Sequence, residues 1–180
     1  MPDHRRLILF GRYPVPGRTK TRLIPALGAL GAAELQRWLT EKTLATLGHA
    51  SLGGIDFCFE GGSHAQVHRW LGHRHGVAHI YPQADGDLGR RMAAALDQAL
   101  ACGVRQVVLL GTDVPGLTAD HLRRAFDALG HNDVGFGPST DGGYWLVGCR
   151  RPAAVFADIH WGSDCVLDQT LMAARRQGLS

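Results

Sequence analysis

The sequence predicts an α/β protein whose mainly parallel sheet is covered by helices on both faces. Three observations carry this. Short apolar runs alternate with stretches of helical periodicity along the whole chain, the pattern of successive βαβ units. One run, Val-Val-Leu-Leu at 107–110, is continuously apolar, as a strand buried on both faces is. It is followed at once by Gly111-Thr-Asp-Val-Pro115, where the proline stops the ladder and Asp113 stands at a strand end.

The elements follow in order. Leu7–Phe10 reads as the first strand, and Gly11–Gly31 as a long glycine- and proline-rich loop. Ala32–Leu47 has apolar residues at Leu35, Leu39, Leu44 and Leu47 and reads as a helix. Ile55–Phe59 is a second strand, Ala65–Leu71 a short helix and Val77–Tyr81 a third strand. Leu88–Cys102, rich in Ala and Leu, is a helix that leads to a fourth strand over Val104–Leu110. A helix over Ala119–Leu129, strands at Asp133–Phe136 and Gly143–Val147, and a last helix over Asp164–Arg176 complete the chain.

At 180 residues the chain reads as one domain, 1–180, large enough to bury a core without disulfides or metal. No window approaches the roughly 18 apolar residues of a membrane helix, and the apolar run before Gly11 is too short for a signal peptide. The expected location is therefore the cytoplasm. Cys58, Cys102, Cys149 and Cys165 stand far apart, without the Cys-x-x-Cys spacing of a structural zinc site, and read as reduced thiols. A net charge of +3 is too small to indicate a nucleic-acid protein. Lys20 and Lys42 are the only lysines among 19 basic residues, and Lys20 falls inside the densest motif.

That motif is Phe10-Gly-Arg-Tyr-Pro-Val-Pro-Gly-Arg-Thr-Lys-Thr-Arg-Leu23. It puts Arg12, Arg18, Lys20 and Arg22 on a loop after the first strand, with Gly11 and Gly17 to let backbone amides approach a ligand. Cations and backbone donors at a strand's carboxyl end suit a polyphosphate; the other reading is a basic surface loop. The spacing is not that of a Walker loop, and no Gly-x-Gly-x-x-Gly dinucleotide motif is present. Gly137-Pro-Ser-Thr-Asp-Gly-Gly-Tyr-Trp145 places a second carboxylate, Asp141, after another strand, unless it is simply a hairpin turn. Asp113 and Asp141 from separate strand ends suit one Mg²⁺ (or Mn²⁺) shared with substrate phosphates.

Gln83-Ala-Asp-Gly-Asp-Leu-Gly-Arg-Arg-Met92 leads from the third strand into a helix. Gln83 and the backbone around Gly86, Asp87 and Leu88 suit the edge of a nucleobase, while Asp85 or Asp87 equally suits a helix N-cap. In His160-Trp-Gly-Ser-Asp164, Trp161 is either a pocket wall or core, and Ser163 and Asp164 look like helix-start residues. His64, His68, His73, His75 and His79 cluster without the partners of a metal motif and read as a solvated face.

Taken together, Phe10–Leu23, Gln83–Met92, Gly111–Pro115, Gly137–Tyr144 and Trp161–Thr170 resemble bacterial glycosyltransferase-like proteins of the nucleotide-diphospho-sugar transferase superfamily. These are similar to 2-phospho-lactate guanylyltransferase and, more distantly, to molybdenum-cofactor guanylyltransferases. The resemblance spans nearly the whole chain. It implies the GT-A fold, a three-layer α/β/α sandwich with a mixed, mainly parallel sheet. It implies phosphate contacts from Arg12, Lys20 and Arg22, base contacts from Gln83 and Gly86–Leu88, and a metal on Asp113, with Asp141 matching the Asp-Gly-Gly-Tyr element. Family members usually continue into a segment of the form Asp-Val-Asp-Thr, which does not follow Gln177-Gly-Leu-Ser180 here.

The expected activity is Mg²⁺-dependent nucleotidyl transfer, with Lys20 and Asp113 as its catalytic groups, from a nucleoside triphosphate to a small phosphorylated acceptor. Glycosyl transfer from a nucleotide-sugar and non-catalytic nucleotide binding are the alternatives. The expected partners are the nucleotide and the acceptor, with no nucleic acid and no membrane; nothing in the residues specifies an oligomer.

Overall fold

Among the described residues, six strands form one sheet in the order β3-β2-β1-β4-β6-β5. The computed structural model describes residues 4–72 and 74–180, so His73 lies outside the described residues. The strands are β1 (Arg5–Arg12), β2 (Gly54–Glu60), β3 (Val77–Pro82), β4 (Gln106–Gly111), β5 (Val134–Pro138) and β6 (Tyr144–Cys149). The helices are α1 (Ile24–Ala50), α2 (His64–Leu71), α3 (Leu88–Ala101), α4 (Ala119–Ala128) and α5 (Val166–Arg176). β1 pairs in parallel with both β2 and β4, and β2 with β3, whereas β6 runs antiparallel to β4 and β5. The sheet is thus mixed and mainly parallel.

Both faces of the sheet are covered, and the side-chain period of two sorts the residues between them. Leu7 and Leu9 of β1, Phe57 and Phe59 of β2, and Val108 and Leu110 of β4 pack with Leu44, Leu47, Val67, Trp70, Leu122 and Phe126 from α1, α2 and α4. Their neighbours Ile8, Phe10, Cys58, Val107 and Leu109 pack with Met92, Ala95, Leu96, Ala173 and Ala174 from α3 and α5. Continuous apolar runs in β1 and β4 are what such two-sided burial requires. Each fully buried leucine contributes about 1.5–3 kcal/mol relative to exposure. Among the described residues, no helix is long and apolar enough to cross a membrane.

Two predicted helix starts need correction. The loop expected over residues 11–31 is shorter, because a 3-10 turn at Thr21–Leu23 runs directly into α1 at Ile24. Pro25 sits in the first turn, where its missing N–H costs nothing. Gly28, with φ 69° and ψ 166°, breaks the helix after one turn, and this break hides the helical period in the sequence. The last helix also begins later than expected, at Val166.

Candidate functional site

The strand order reverses between β1 and β4, since β2 and β3 lie to one side of β1 and β6 and β5 lie beyond β4. In open α/β sheets such a switch point leaves a crevice at the carboxyl ends of the strands. Here it is a cleft of about 940 Å³. Of the residues expected in a site, Gly11, Arg12, Lys20, Arg22, Gln83, Leu88, Asp113 and Asp141 line it. Gly17, Gly86 and Asp87 do not. Gly17 turns the loop at φ 79°, and Gly86, at φ 116°, lies against the Arg90 side chain. Asp87 is the N-cap of α3, accepting the Arg90 N–H at 2.8 Å.

The loop after β1 is folded around a buried threonine. Thr19 is 1% exposed; its Oγ1 accepts the Val15 N–H and donates to the Tyr13 carbonyl. This delivers Lys20 in a left-handed conformation, φ 48° and ψ 45°, which an L-residue adopts only under constraint. The Lys20 Nζ lies 2.6 Å from Asp113 Oδ1, with the lysine side chain 12% exposed and the aspartate 68%. The expected phosphate-binding cation and the expected metal carboxylate therefore face each other as an ion pair. Arg22, exposed at the cleft, has no partner among the described residues.

Gly11, which lines the cleft, also has a packing role. A Cβ there would stand 2.5 Å from the Phe57 ring, so only glycine lets β1 pass this side chain.

Arg12 and Gln83 belong to one network. Arg12 donates through Nε and Nη2 to Glu60 Oε2 at the end of β2, and Arg91 of α3 lies 3.4 Å from the same oxygen. Arg91 also donates to Gln83 Oε1 at 3.0 Å, and Gln83 Nε2 donates to the Cys58 carbonyl. Partial burial raises the Glu60 pKa, but Arg12 and then Arg91 outweigh it and hold the carboxyl below its ordinary value. The network thus faces the cleft as a carboxylate bracketed by two guanidiniums. Glu60 stands outside every motif of the sequence, and the pairing of β1 with β2 brings it to Arg12; Arg91, inside the Gln83–Met92 stretch, reaches the same carboxylate from α3.

Asp141 sits in the turn between the antiparallel strands β5 and β6. Its Oδ1 accepts from the Ser139 hydroxyl and from the Gly143 N–H, which lower its pKa in that order. The segment is thus a hairpin turn, and its Asp141 lines the cleft. Gly142 is not open to a ligand: at φ 82° its missing Cβ would fall 1.8 Å from the Asp164 carbonyl oxygen. Its own carbonyl accepts the Leu167 N–H, so the turn is clamped onto the start of α5. Trp161 lines the cleft, edge-on to Tyr144, and closes over Gly89 of α3. Burial pushes the Tyr144 hydroxyl up to about 12, making it a neutral phenol in the wall. Ser163 donates to the His160 carbonyl, and Cys165 rather than Asp164 precedes α5.

Elsewhere, His64 and His68 stack on the exposed face of α2, with His64 Nε2 against the Ile80 carbonyl. Among the described residues, no group of three or more His, Cys, Asp or Glu side chains is gathered closely enough to hold a metal ion.

The fold and the family of this chain are shared with known proteins. Residues 43–163 match the family described as "Uncharacterized protein conserved in bacteria (DUF2064)". A crystal structure from Desulfovibrio desulfuricans G20, named a "putative nucleotide-diphospho-sugar transferase", superposes with a TM-score of 0.85 and 32% identity. That match covers 100% of this chain and 78% of the other. Rv0371c of Mycobacterium tuberculosis H37Rv shares the fold at a TM-score of 0.58 and 17% identity, over 97% of this chain and 85% of its own. The 4-diphosphocytidyl-2C-methyl-D-erythritol synthase of Anaerococcus prevotii DSM 20548 shares it at 0.51 and 14%, over 76% and 56%. No curated protein sequence matches. The chain belongs to the DUF2064 family and has the nucleotide-diphospho-sugar transferase fold.

Proposed function

We propose that this protein is a transferase that binds a nucleoside triphosphate together with Mg²⁺ (or Mn²⁺) and passes the nucleotidyl group to a small phosphorylated acceptor. The observation that carries the reading is the meeting of Lys20, Arg22, Asp113 and Asp141 at one switch-point cleft. The donors suit a hard cation, which takes oxygen ligands and is often held by one or two carboxylates plus substrate phosphates. A protein-only cage of three ligands is not needed for that. Asp113 would be the principal ligand, and Asp141 the second carboxylate on the same cleft. The cation would neutralise charge on the phosphate oxygens.

The remaining work falls to this chain's own groups. Lys20 leaves Asp113 for the phosphates as the nucleotide enters, while Arg22 gives the outer phosphates a second charge-assisted donor. Gln83, Leu88 and the Arg12–Glu60–Arg91 network form the wall that meets the base. An acceptor phosphate oxygen attacks the α-phosphorus, the bond from that phosphorus to the bridging oxygen breaks, and pyrophosphate leaves. Positioning and electrostatics suffice for such a step.

A second reading, glycosyl transfer from a nucleotide-sugar, is favoured by the name of the D. desulfuricans relative. Incubation with Mg²⁺ and panels of triphosphates, nucleotide-sugars and phosphorylated acceptors separates the two. Acceptor-dependent pyrophosphate release supports nucleotidyl transfer; free nucleoside diphosphate supports glycosyl transfer. Binding without either product, at every cation tested, leaves a nucleotide-binding protein without turnover.

A further inference from the structure

Asp113 Oδ1 receives two donors, and one of them ends a buried relay. Gln36 on α1 is 4% exposed, and its Nε2 donates to Thr112 Oγ1 at 3.1 Å and to Thr40 Oγ1 at 3.2 Å. The Thr40 proton goes to the Gln36 carbonyl at 2.8 Å, and the Thr112 proton to Asp113 Oδ1 at 3.2 Å. Both hydroxyl oxygens are therefore acceptors towards the amide, and only the nitrogen end of Gln36 satisfies them. The hydrogen bonds run one way, from Gln36 to Thr112 to Asp113. Lys20 Nζ supplies the second donor to the same oxygen. Oδ2 has no partner among the described residues.

We infer that Gln36 is the positioning residue of the cation site. Acting through Thr112, it fixes the Asp113 carboxylate so that Oδ1 is held by the protein and Oδ2 is presented to the cation. A buried polar side chain costs stability unless its hydrogen bonds are made, and here its orientation serves one carboxylate that lines the cleft. The inference rests on the proposed role of Asp113 as the cation's ligand.

Mn²⁺ titration of the full chain, followed by water-proton relaxation, tests it. Gln36→Met and Thr112→Val keep volume and remove the relay, and each raises the Mn²⁺ dissociation constant about tenfold, the effect of one hydrogen bond to a charged group. The double variant binds no more weakly than Thr112→Val alone, because both changes cut one path. Thr112→Ser, which restores the hydroxyl, stays within about twofold of wild type, and Asp113→Asn loses the site. A purely structural Gln36 would lower the melting temperature of Gln36→Met and leave Mn²⁺ affinity unchanged. Wild-type affinity in folded Gln36→Met and Thr112→Val, with Asp113→Asn defective, overturns the positioning role alone. Wild-type affinity in Asp113→Asn, or no Mn²⁺ site in the wild type, overturns that role and the reading of Asp113 together. If Gln36→Met fails to fold, the Thr112→Val and Thr112→Ser pair decides.

Discussion

Lys20→Gly is expected to strip the cleft of polyphosphate affinity while leaving stability within about 1 kcal/mol of wild type. Three contributions set the balance. At φ 48° and ψ 45° the lysine backbone carries about 1–2 kcal/mol of left-handed strain that glycine does not. Against that relief stands the ion pair to Asp113, which contributes about 0–1 kcal/mol because the carboxylate is 68% exposed. The freer unfolded chain of glycine costs about a further 0.5–1 kcal/mol. These nearly cancel. A bound phosphate, by contrast, loses a charge-assisted hydrogen bond, about 1.5–3 kcal/mol or roughly ten- to a hundredfold in affinity. Calorimetric titration with ATP and GTP in Mg²⁺, beside urea denaturation of the same samples, reads both quantities. Undiminished triphosphate affinity refutes the phosphate role of Lys20, and a stability loss of about 3 kcal/mol or more refutes the strain argument.

Three further outcomes follow from the geometry. Gly142→Ala forces a Cβ to within 1.8 Å of the Asp164 carbonyl oxygen at positive φ, so the turn must leave α5; urea denaturation should show a loss of about 2–4 kcal/mol, and an unchanged midpoint contradicts the clamp. The Asp133 carboxyl is held well below the usual carboxylate range by Arg151 above all, then by the Ser180 N–H and Arg150, against opposing desolvation. The stability it confers is therefore complete above the unfolded carboxyl pKa near about 4 and is lost as pH falls through the folded one. Asp133→Asn should flatten the acid limb of stability against pH, and identical limbs would argue against that contribution. Burial pushes the Cys58 and Cys149 thiols up to about 12, whereas Cys102 is exposed. A thiol reagent at pH 8 should label Cys102 in the native protein and reach Cys58 and Cys149 only on unfolding.

Much of this was legible because it depends on local pattern. The runs at 7–10, 55–59 and 107–110 are apolar enough to mark central strands, and each lies inside a strand of the structure. Asp113 and the cationic loop stand out for the same reason: strand ends and glycine-proline loops leave a signature over a few residues. Distant pairing left no such signature. Glu60 and Arg91 reach Arg12 only through the β1–β2 register and the packing of α3, and Gln36 reaches Thr112 across α1 and β4. The contact at Gly142 is equally invisible in the sequence, because its empty side is filled by the backbone of a segment more than twenty residues away. The start of α1 was hidden because Pro25 and Gly28, usual marks of a loop, sit at a helix's first turn and at its break.

The central claim is that the switch-point cleft binds nucleotide with a divalent cation on Asp113. Thermal unfolding of the wild type and of Asp113→Asn, with and without a panel of nucleoside triphosphates and Mg²⁺, tests it most directly, since a ligand of the folded state raises its apparent stability. At least one triphosphate should raise the wild-type melting temperature, more with Mg²⁺ than without, and the Mg²⁺-dependent part should vanish in Asp113→Asn. An equal Mg²⁺-dependent rise in both proteins, or no rise in the wild type with any triphosphate, contradicts it.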